Sequence, residues 1–270
     1  MIVTIDLCSW SLYLNFSLIN YVIFLLLIVS LSFYIKRNNK VQITCVQELV
    51  SIVDGNSSLG YLYRGESDFE YKLKPSLARY SDRAAINGYD LLGNEKYSLQ
   101  IFNSELPQYH KNHVNGKFEL MAIAQHHGLP TRLLDWSLSP LVALYFAVNE
   151  NKGTDASLYS FRTGSMRWAT EDDISKSVDE NEEEDVFVYQ SKHLTPRLKN
   201  QQGVFTFHKR FEEEFNNPNL QKYRIPVDCI DSIKWQLIQL GITDKVIYGD
   251  LDALCKTLAF SHFKGFDERQ

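Results

Sequence analysis

The residues from Ala122 to Ala147 crowd Gln125, His126, His127, Thr131, Arg132 and Asp135 between two apolar segments of helical pattern. Burying such groups is costly unless they pair with one another or face a ligand. The chemistry they could do is specific. An imidazole suits acid–base work at neutral pH. His126 and His127 are sequence neighbours and diverge by about 100° on a helix, so at most one enters a site and the two do not share a metal. His126, beside Gln125, is the preferred one. Arg132 and Asp135 are three apart and admit two readings. In one they form a structural pair across a helical turn. In the other Asp135 orients His126 while Arg132 reaches an anion. Trp136 reads as a core ring or as a platform for a nucleobase.

Two further clusters frame this stretch. Tyr63-Arg64-Gly65 sits at a strand end, where a guanidinium can grip a carboxylate or phosphate in bidentate fashion. The structural alternative pairs Arg64 with Asp135 or Glu66. Gly65 is read as permitting unusual backbone angles. Downstream, Gln202-Gly203 opens a strand. Gln202 can donate and accept, and Gly203 allows close approach of a ligand; a bulge or turn explains the pair equally well. The candidate catalytic residues are thus Arg64, His126, Asp135 and Gln202. The candidate ligand-binding residues are Tyr63, Gly65, Gln125, Arg132 and Gly203. No metal set is predicted.

The elements that must position these residues follow from periodicity and capping. Helices are expected over Val46–Val53, over Ile86–Leu106 with Tyr89, Leu92, Tyr97 and Ile101 facing the core, and over Phe118–His127. A helical turn is expected over Pro75–Tyr80. Ser139 caps a further helix with Pro140 at its first position, and Leu141–Val148 is apolar nearly all round. Strands are expected over Leu62–Glu66, Ala156–Phe161, Val186–Gln190, Gly203–His208 and Arg224–Ile230. Helices over Asp231–Leu240 and Leu251–Phe260 close the chain. Helix-rich first and strand-rich later, this order is α+β. Nine of the fifteen residues from Glu171 to Asp185 are acidic, which reads as a solvated loop.

Residues 7–35 are almost free of charge, long enough to span about 30 Å of hydrocarbon as a helix. Lys36, Arg37 and Lys40 follow. The expectation is a single-pass transmembrane anchor over 1–36 and a basic linker over 37–44. The N-terminus would lie outside and the main domain in the cytoplasm, at the inner membrane with the lipid bilayer as partner. The main domain is placed at 45–262 and a tail at 263–270. The net charge of −5 argues against an extended nucleic-acid surface. There is no P-loop, GxGxxG, HExxH or GxSxG.

Three motifs occur in order. They are Tyr63-Arg64-Gly65 with Leu73-Lys-Pro-Ser-Leu-Ala-Arg79, then Ala124-Gln-His-His-Gly-Leu-Pro-Thr-Arg-Leu-Leu-Asp-Trp136 with Ser139-Pro140 and Ala143–Ala147, then Arg197-Leu-Lys-Asn-Gln-Gln-Gly-Val-Phe205. This order resembles the FRG domain family, named for Phe-Arg-Gly, with Tyr63 in place of the phenylalanine. The resemblance spans roughly residues 45–262. It implies one mixed helix and sheet domain and, in bacteria, a toxin-like or phage-defence effector. It also implies an ADP-ribosyltransferase-like enzyme using NAD on a protein target. ADP-ribosyltransferases carry an Arg or His, a Ser or Thr and a Glu on three strands. Arg64, then Ser157 or Ser160, then Gln202 follow that order, with no glutamate in third place. A non-enzymatic ligand-sensing or partner-binding module is the reading of a different class.

Overall fold

The computed structural model describes residues 42–56, 60–109, 114, 116–164, 166–169, 185–191 and 196–267. The helices are α1 (Val46–Gly55), α2 (Ser81–Asn87), α3 (Leu91–Glu105), α4 (Lys117–His126), α5 (Pro140–Val148), α6 (Pro196–Asn200), α7 (Val227–Gln239), α8 (Asp244–Tyr248) and α9 (Leu251–Asp267), with 3-10 turns at Ser76–Tyr80 and Leu106–Gln108. The strands are β1 (Tyr61–Glu66), β2 (Leu133–Ser137), β3 (Ala156–Arg162), β4 (Val186–Tyr189), β5 (Gly203–His208) and β6 (Gln221–Ile225). They form one sheet in the order β4-β5-β2-β1-β3-β6. Every pairing is antiparallel.

Alternation along the strands gives the sheet two unlike faces. One carries Tyr63, Leu158 and Ile225 under α1, α5 and α7. Across the same face, Leu133, Phe205, Phe207 and Phe187 lie under α4, with Leu99 of α3 and Leu198 of α6. Two helical packs therefore cover two halves of one sheet face. The opposite face buries Leu62, Leu134, Trp136, Phe161 and Val204 against Leu73 and Phe215. Ser139 caps α5 as expected, its hydroxyl accepting from the Val142 N–H at 3.3 Å.

The halves meet at β1 and β2, which share a single register position, Tyr63 opposite Ser137. By contrast β1 pairs with β3 over six positions and β2 with β5 over five. Beyond Tyr63 the central strands part. Gly65 sits where β1 runs under α5. A Cβ there would lie 2.0 Å from the Ala143 carbonyl oxygen and 2.5 Å from the Ala147 nitrogen. Its role is close packing of strand on helix rather than a backbone angle closed to other residues.

Several expectations are corrected. The segment of the predicted transmembrane helix, residues 7–35, lies outside the described residues, as does nearly all of the acidic stretch 171–185. Among the described residues no helix is long and apolar enough to cross a membrane. The most apolar, α5, has nine residues and is walled in by sheet and helices. The longest, α9, has 17 and carries Asp252, Lys256 and Lys264. A spanning helix needs about 20 predominantly apolar residues. No described helix therefore supports the single-pass architecture or the inner-membrane localisation, and the fold class of the described residues is α+β with a six-stranded antiparallel sheet. The helix expected over Ile86–Leu106 breaks at Gly88, which turns left-handed at φ 67°. Tyr89, Leu92, Tyr97 and Ile101 are exposed, and Glu95 and Leu99 face inward instead. The apolar spacing misled because α3 buries a carboxylate. The strand expected over Arg224–Ile230 ends at Ile225, and α7 starts right after Pro226. Proline cannot donate to a ladder but is tolerated at a helix start. Leu133–Ser137, for which no strand was expected, is a central strand.

Gly65→Ala should cost about 3 kcal/mol or more by overpacking α5. Gly203→Ala, whose Cβ would meet Leu198 at an ordinary 3.7 Å, should stay within about 1 kcal/mol. Urea unfolding of both variants checks the contrast.

Candidate functional site

Where β1 and β2 part, the two helical packs leave a cleft of about 340 Å³. Its floor is the strand segment holding Tyr63, Gly65, Asp135, Ser137, Gly203 and Phe205. One side is α5, through Ala143 and Phe146; the other is the end of α4, through Gln125 and His126, with Arg197 and Leu198 of α6 and Tyr248 of α8. Arg64, Glu66 and Ser67 border it at the gap in the sheet.

Arg64 closes that gap chemically. Its Nη1 donates to the Asp135 carbonyl oxygen at 2.7 Å, a side chain bridging strands whose backbones no longer pair. Nε donates to Glu66 at 2.7 Å, and the Asp135 carboxylate lies 3.5 Å from Nη1. Burial opposes the charge on Arg64, yet the Glu66 and Asp135 carboxylates outweigh it and hold the guanidinium above its ordinary range. Glu66 is buried and committed to Arg64, whereas the Asp135 side chain is 57% exposed. The structural partners expected for Arg64 are both present.

On the far face of the sheet a neutral network supports this bridge. The Trp136 Nε1–H donates to the Thr206 hydroxyl at 2.9 Å, and that hydroxyl shares a hydrogen bond of 2.8 Å with Nε2 of His208. Burial and the nearby Arg64 pull His208 down to about 3, so it is neutral at physiological pH. The Trp136 ring packs on Phe161 and Phe215, as a core tryptophan.

His126 lines the cleft half-buried, and His127, one step on, is exposed. Burial, then Arg197, then His127 lower His126 to about 3. Such an imidazole is a neutral hydrogen-bonding group at pH 7 and poorly matched to proton transfer there. Its predicted partner Asp135 is turned to Arg64 instead. Gln125 is held by its oxygen, which accepts from the Thr131 hydroxyl. That hydroxyl in turn accepts from the Leu133 N–H at 3.1 Å. The other end of the amide, Nε2, is buried without a hydrogen-bond partner among the described residues.

The structure thus brings seven predicted residues to one cleft: Tyr63, Arg64, Gly65, Gln125, His126, Asp135 and Gly203. Arg132 and Gln202 lie elsewhere. Arg132 is 3% exposed and ties β2 to α3. Its backbone N–H and its Nε each donate to Glu95 at 2.8 Å, and its guanidinium lies 5.1 Å over the Phe207 ring. Its partner is therefore Glu95, not the expected Asp135. Gln202 stands at φ 47°, alone among described non-glycine residues in the left-handed region. It works through its backbone, its N–H donating to Lys199 and its carbonyl accepting from Leu138. Ser157 and Ser160 of β3 are buried and do not line the cleft. Sequence reasoning missed Phe146, Arg197 and Tyr248. Arg197 opens the third sequence motif and Phe146 lies in the Ala143–Ala147 part of the second, which were the available signals.

An antiparallel α+β domain with a polar cleft over a parted central strand pair is the class that fold and site define. Residues 60–156 match the family model of the FRG domain, and the chain carries an FRG domain over that stretch. The match takes in β1, the parted pair, α4 and α5, whereas Arg197, Gly203 and Tyr248 lie beyond it. No curated protein and no solved structure matches the chain.

Both depressed histidines tie stability to pH. Their folded pKa values lie below the ordinary 6.5, so only the unfolded chain takes up these protons as pH falls below about 6.5. Stability should be flat from pH 7 to 8 and decline below pH 6 by up to about 1.4 kcal/mol per pH unit for each histidine. His208→Gln should flatten that decline in urea melts at pH 5, 6 and 7.

Proposed function

We propose that the FRG domain binds a nucleotide-like ligand in the cleft between its two helical packs. The observation that carries this is the cleft itself. It gathers polar groups from β1, β2 and the end of α4 beside the aromatic rings of Phe146 and Tyr248, within a volume suited to a small molecule. Small-molecule sites combine apolar or aromatic walls with convergent polar groups that fix orientation, and this cleft, more polar than most, has both. The aromatic rings suit a planar base, and the polar groups suit a sugar and an acidic substituent.

NAD is the ligand we put first. A transferred ribosyl group passes through an oxocarbenium-like state that a carboxylate stabilises. Asp135, exposed at the cleft floor, is the carboxylate we assign to this role, because Glu66 is committed to Arg64 and Glu150 lies by Lys152. An ADP-ribosyltransferase-like activity on a protein target, in a toxin-like or phage-defence setting, follows from this reading. A specific observation favours the second reading, a ligand-sensing module without catalysis. His126 is neutral and Arg64 already holds two carboxylates, so the cleft offers recognition more readily than proton transfer.

Calorimetry of the full chain with NAD, ADP-ribose and ATP tests the binding, with NAD loss and label transfer followed in the same samples. Binding should be weakened at least tenfold in Phe146→Ala, which removes an aromatic wall. Asp135→Asn should keep binding but abolish transfer if the domain is an enzyme. A wild-type protein that binds NAD without consuming it supports the sensor reading. A folded protein that binds none of the three ligands overturns the proposal.

A further inference from the structure

Two arginines border the cleft, and their situations are opposite. Arg64 has its guanidinium taken by Glu66 and by Asp135. Arg197 has no ion pair among the described residues, and its Nε is buried without a hydrogen-bond partner. The group is nevertheless held in place. Its guanidinium carbon lies 4.4 Å over the ring of Tyr248. The helix that carries it is tied to α8 by Asn200, whose Nδ2 donates to the Val246 carbonyl at 2.7 Å. Tyr248 itself packs edge-on against Tyr145 and Phe146. A cation fixed by stacking, with its N–H donor still unused, is ready to receive an anion.

The residue that carries the second unused donor, Gln125, lines the same cleft. Nε2 of Gln125 is buried and unpartnered, and the Thr131 hydroxyl fixes which way the amide faces. His126, the next residue, feels the charge of Arg197 and adds no charge of its own near pH 7. Of the carboxylates at the cleft, Glu66 and Asp135 face Arg64, and Glu150 is exposed and lies 3.7 Å from Lys152. Two residues that line one cleft thus each carry a buried donor, one of them cationic, with no acceptor assigned to it.

We infer that Arg197 and Gln125 form an anion clamp that takes a phosphate group of the ligand, and that Arg64 is the brace of the cleft rather than its anion site. This rests on the reading that the cleft binds a phosphorylated ligand. It goes further by naming the group that is gripped and the side chains that grip it. A phosphate offers several acceptor oxygens at once, as the two donors require.

Inorganic phosphate is the probe, titrated into the full chain at constant ionic strength and read by calorimetry and by the melting temperature. AMP, adenosine and NAD are titrated in parallel. The wild type should bind phosphate and prefer AMP to adenosine at least tenfold. Arg197→Gln should lose that preference and bind phosphate at least tenfold more weakly. Arg197→Lys, which keeps the charge but lacks Nε, should fall between and guards against a folding defect in the first variant. A second cavity, lined by Lys72, Lys74, Arg79 and Lys152, provides the control. The double variant Lys72→Gln, Arg79→Gln should bind phosphate as the wild type does. The clamp is overturned if the wild type fails to bind phosphate, if both folded Arg197 variants bind it unchanged, or if the double variant loses it. Phosphate binding that depends on Arg197 without any nucleotide binding would keep the clamp and remove the nucleotide reading. NAD binding unchanged in Arg197→Gln would do the reverse.

Discussion

The side chain of Arg64 spans a place where the sheet has no ladder. The two central strands touch at one register position and then diverge, so a hydrogen bond from a guanidinium to the Asp135 carbonyl takes over from backbone pairing. Much of the site depends on that substitution. If β1 and β2 paired along their whole length, the two sheet halves would close beneath their helical packs. The divergence instead leaves a cleft whose floor is made of strand ends. The brace is itself satisfied, because Glu66 accepts from Nε and keeps a buried charge from standing alone. Gly65, the next residue, lets α5 settle on β1 with backbone against backbone, which sets one side of the cleft at close range.

Electrostatics then divides the polar residues into those that hold the frame and those left with something to do. Arg132 is spent on Glu95, joining β2 to α3. Glu119 is spent on Tyr189 and Ser191, joining α4 to the β4 edge. Breaking a buried ion pair such as Arg132–Glu95 costs about 3–5 kcal/mol because one charge is left uncompensated, and a buried carboxylate that loses its hydroxyl donors is also penalised, so these residues read as structural by their partners alone. Arg64 belongs with them. At the cleft the remainder is short: a neutral imidazole at His126, the exposed carboxylate of Asp135, and the unused donors of Gln125 and Arg197. That remainder is better suited to gripping a ligand than to moving protons.

The local elements were largely legible. Ser139-Pro140 announced a helix start, and alternation announced β3, β4 and β5 within a residue or two. What misled was partnership between distant segments. The apolar residues of α3 pointed to a core face at Tyr89, Leu92, Tyr97 and Ile101, but Glu95 had to turn inward because Arg132, 37 residues later, is buried opposite it. Leu133–Ser137 carries no turn signal and no clear alternation, and becomes a strand only because Gly203–His208 lies beside it in register.

Taken alone, the sequence determined that this is an α+β domain, that its polar motif residues are concentrated near Arg64 and Gln125–Asp135, and that the motifs are those of an FRG domain. These follow from local spacing, capping and residue type, which act within a few positions along the chain. Tertiary structure decided which of those residues are spent. Arg64, Arg132 and Arg197 are alike as residues, and each could bind an anion. One braces a parted sheet, one is buried on Glu95, and one keeps a free Nε over Tyr248. The difference lies in which carboxylates the fold brings within reach, since a charge pairs with whatever stands a few ångströms away in space and not with what stands near it in the chain.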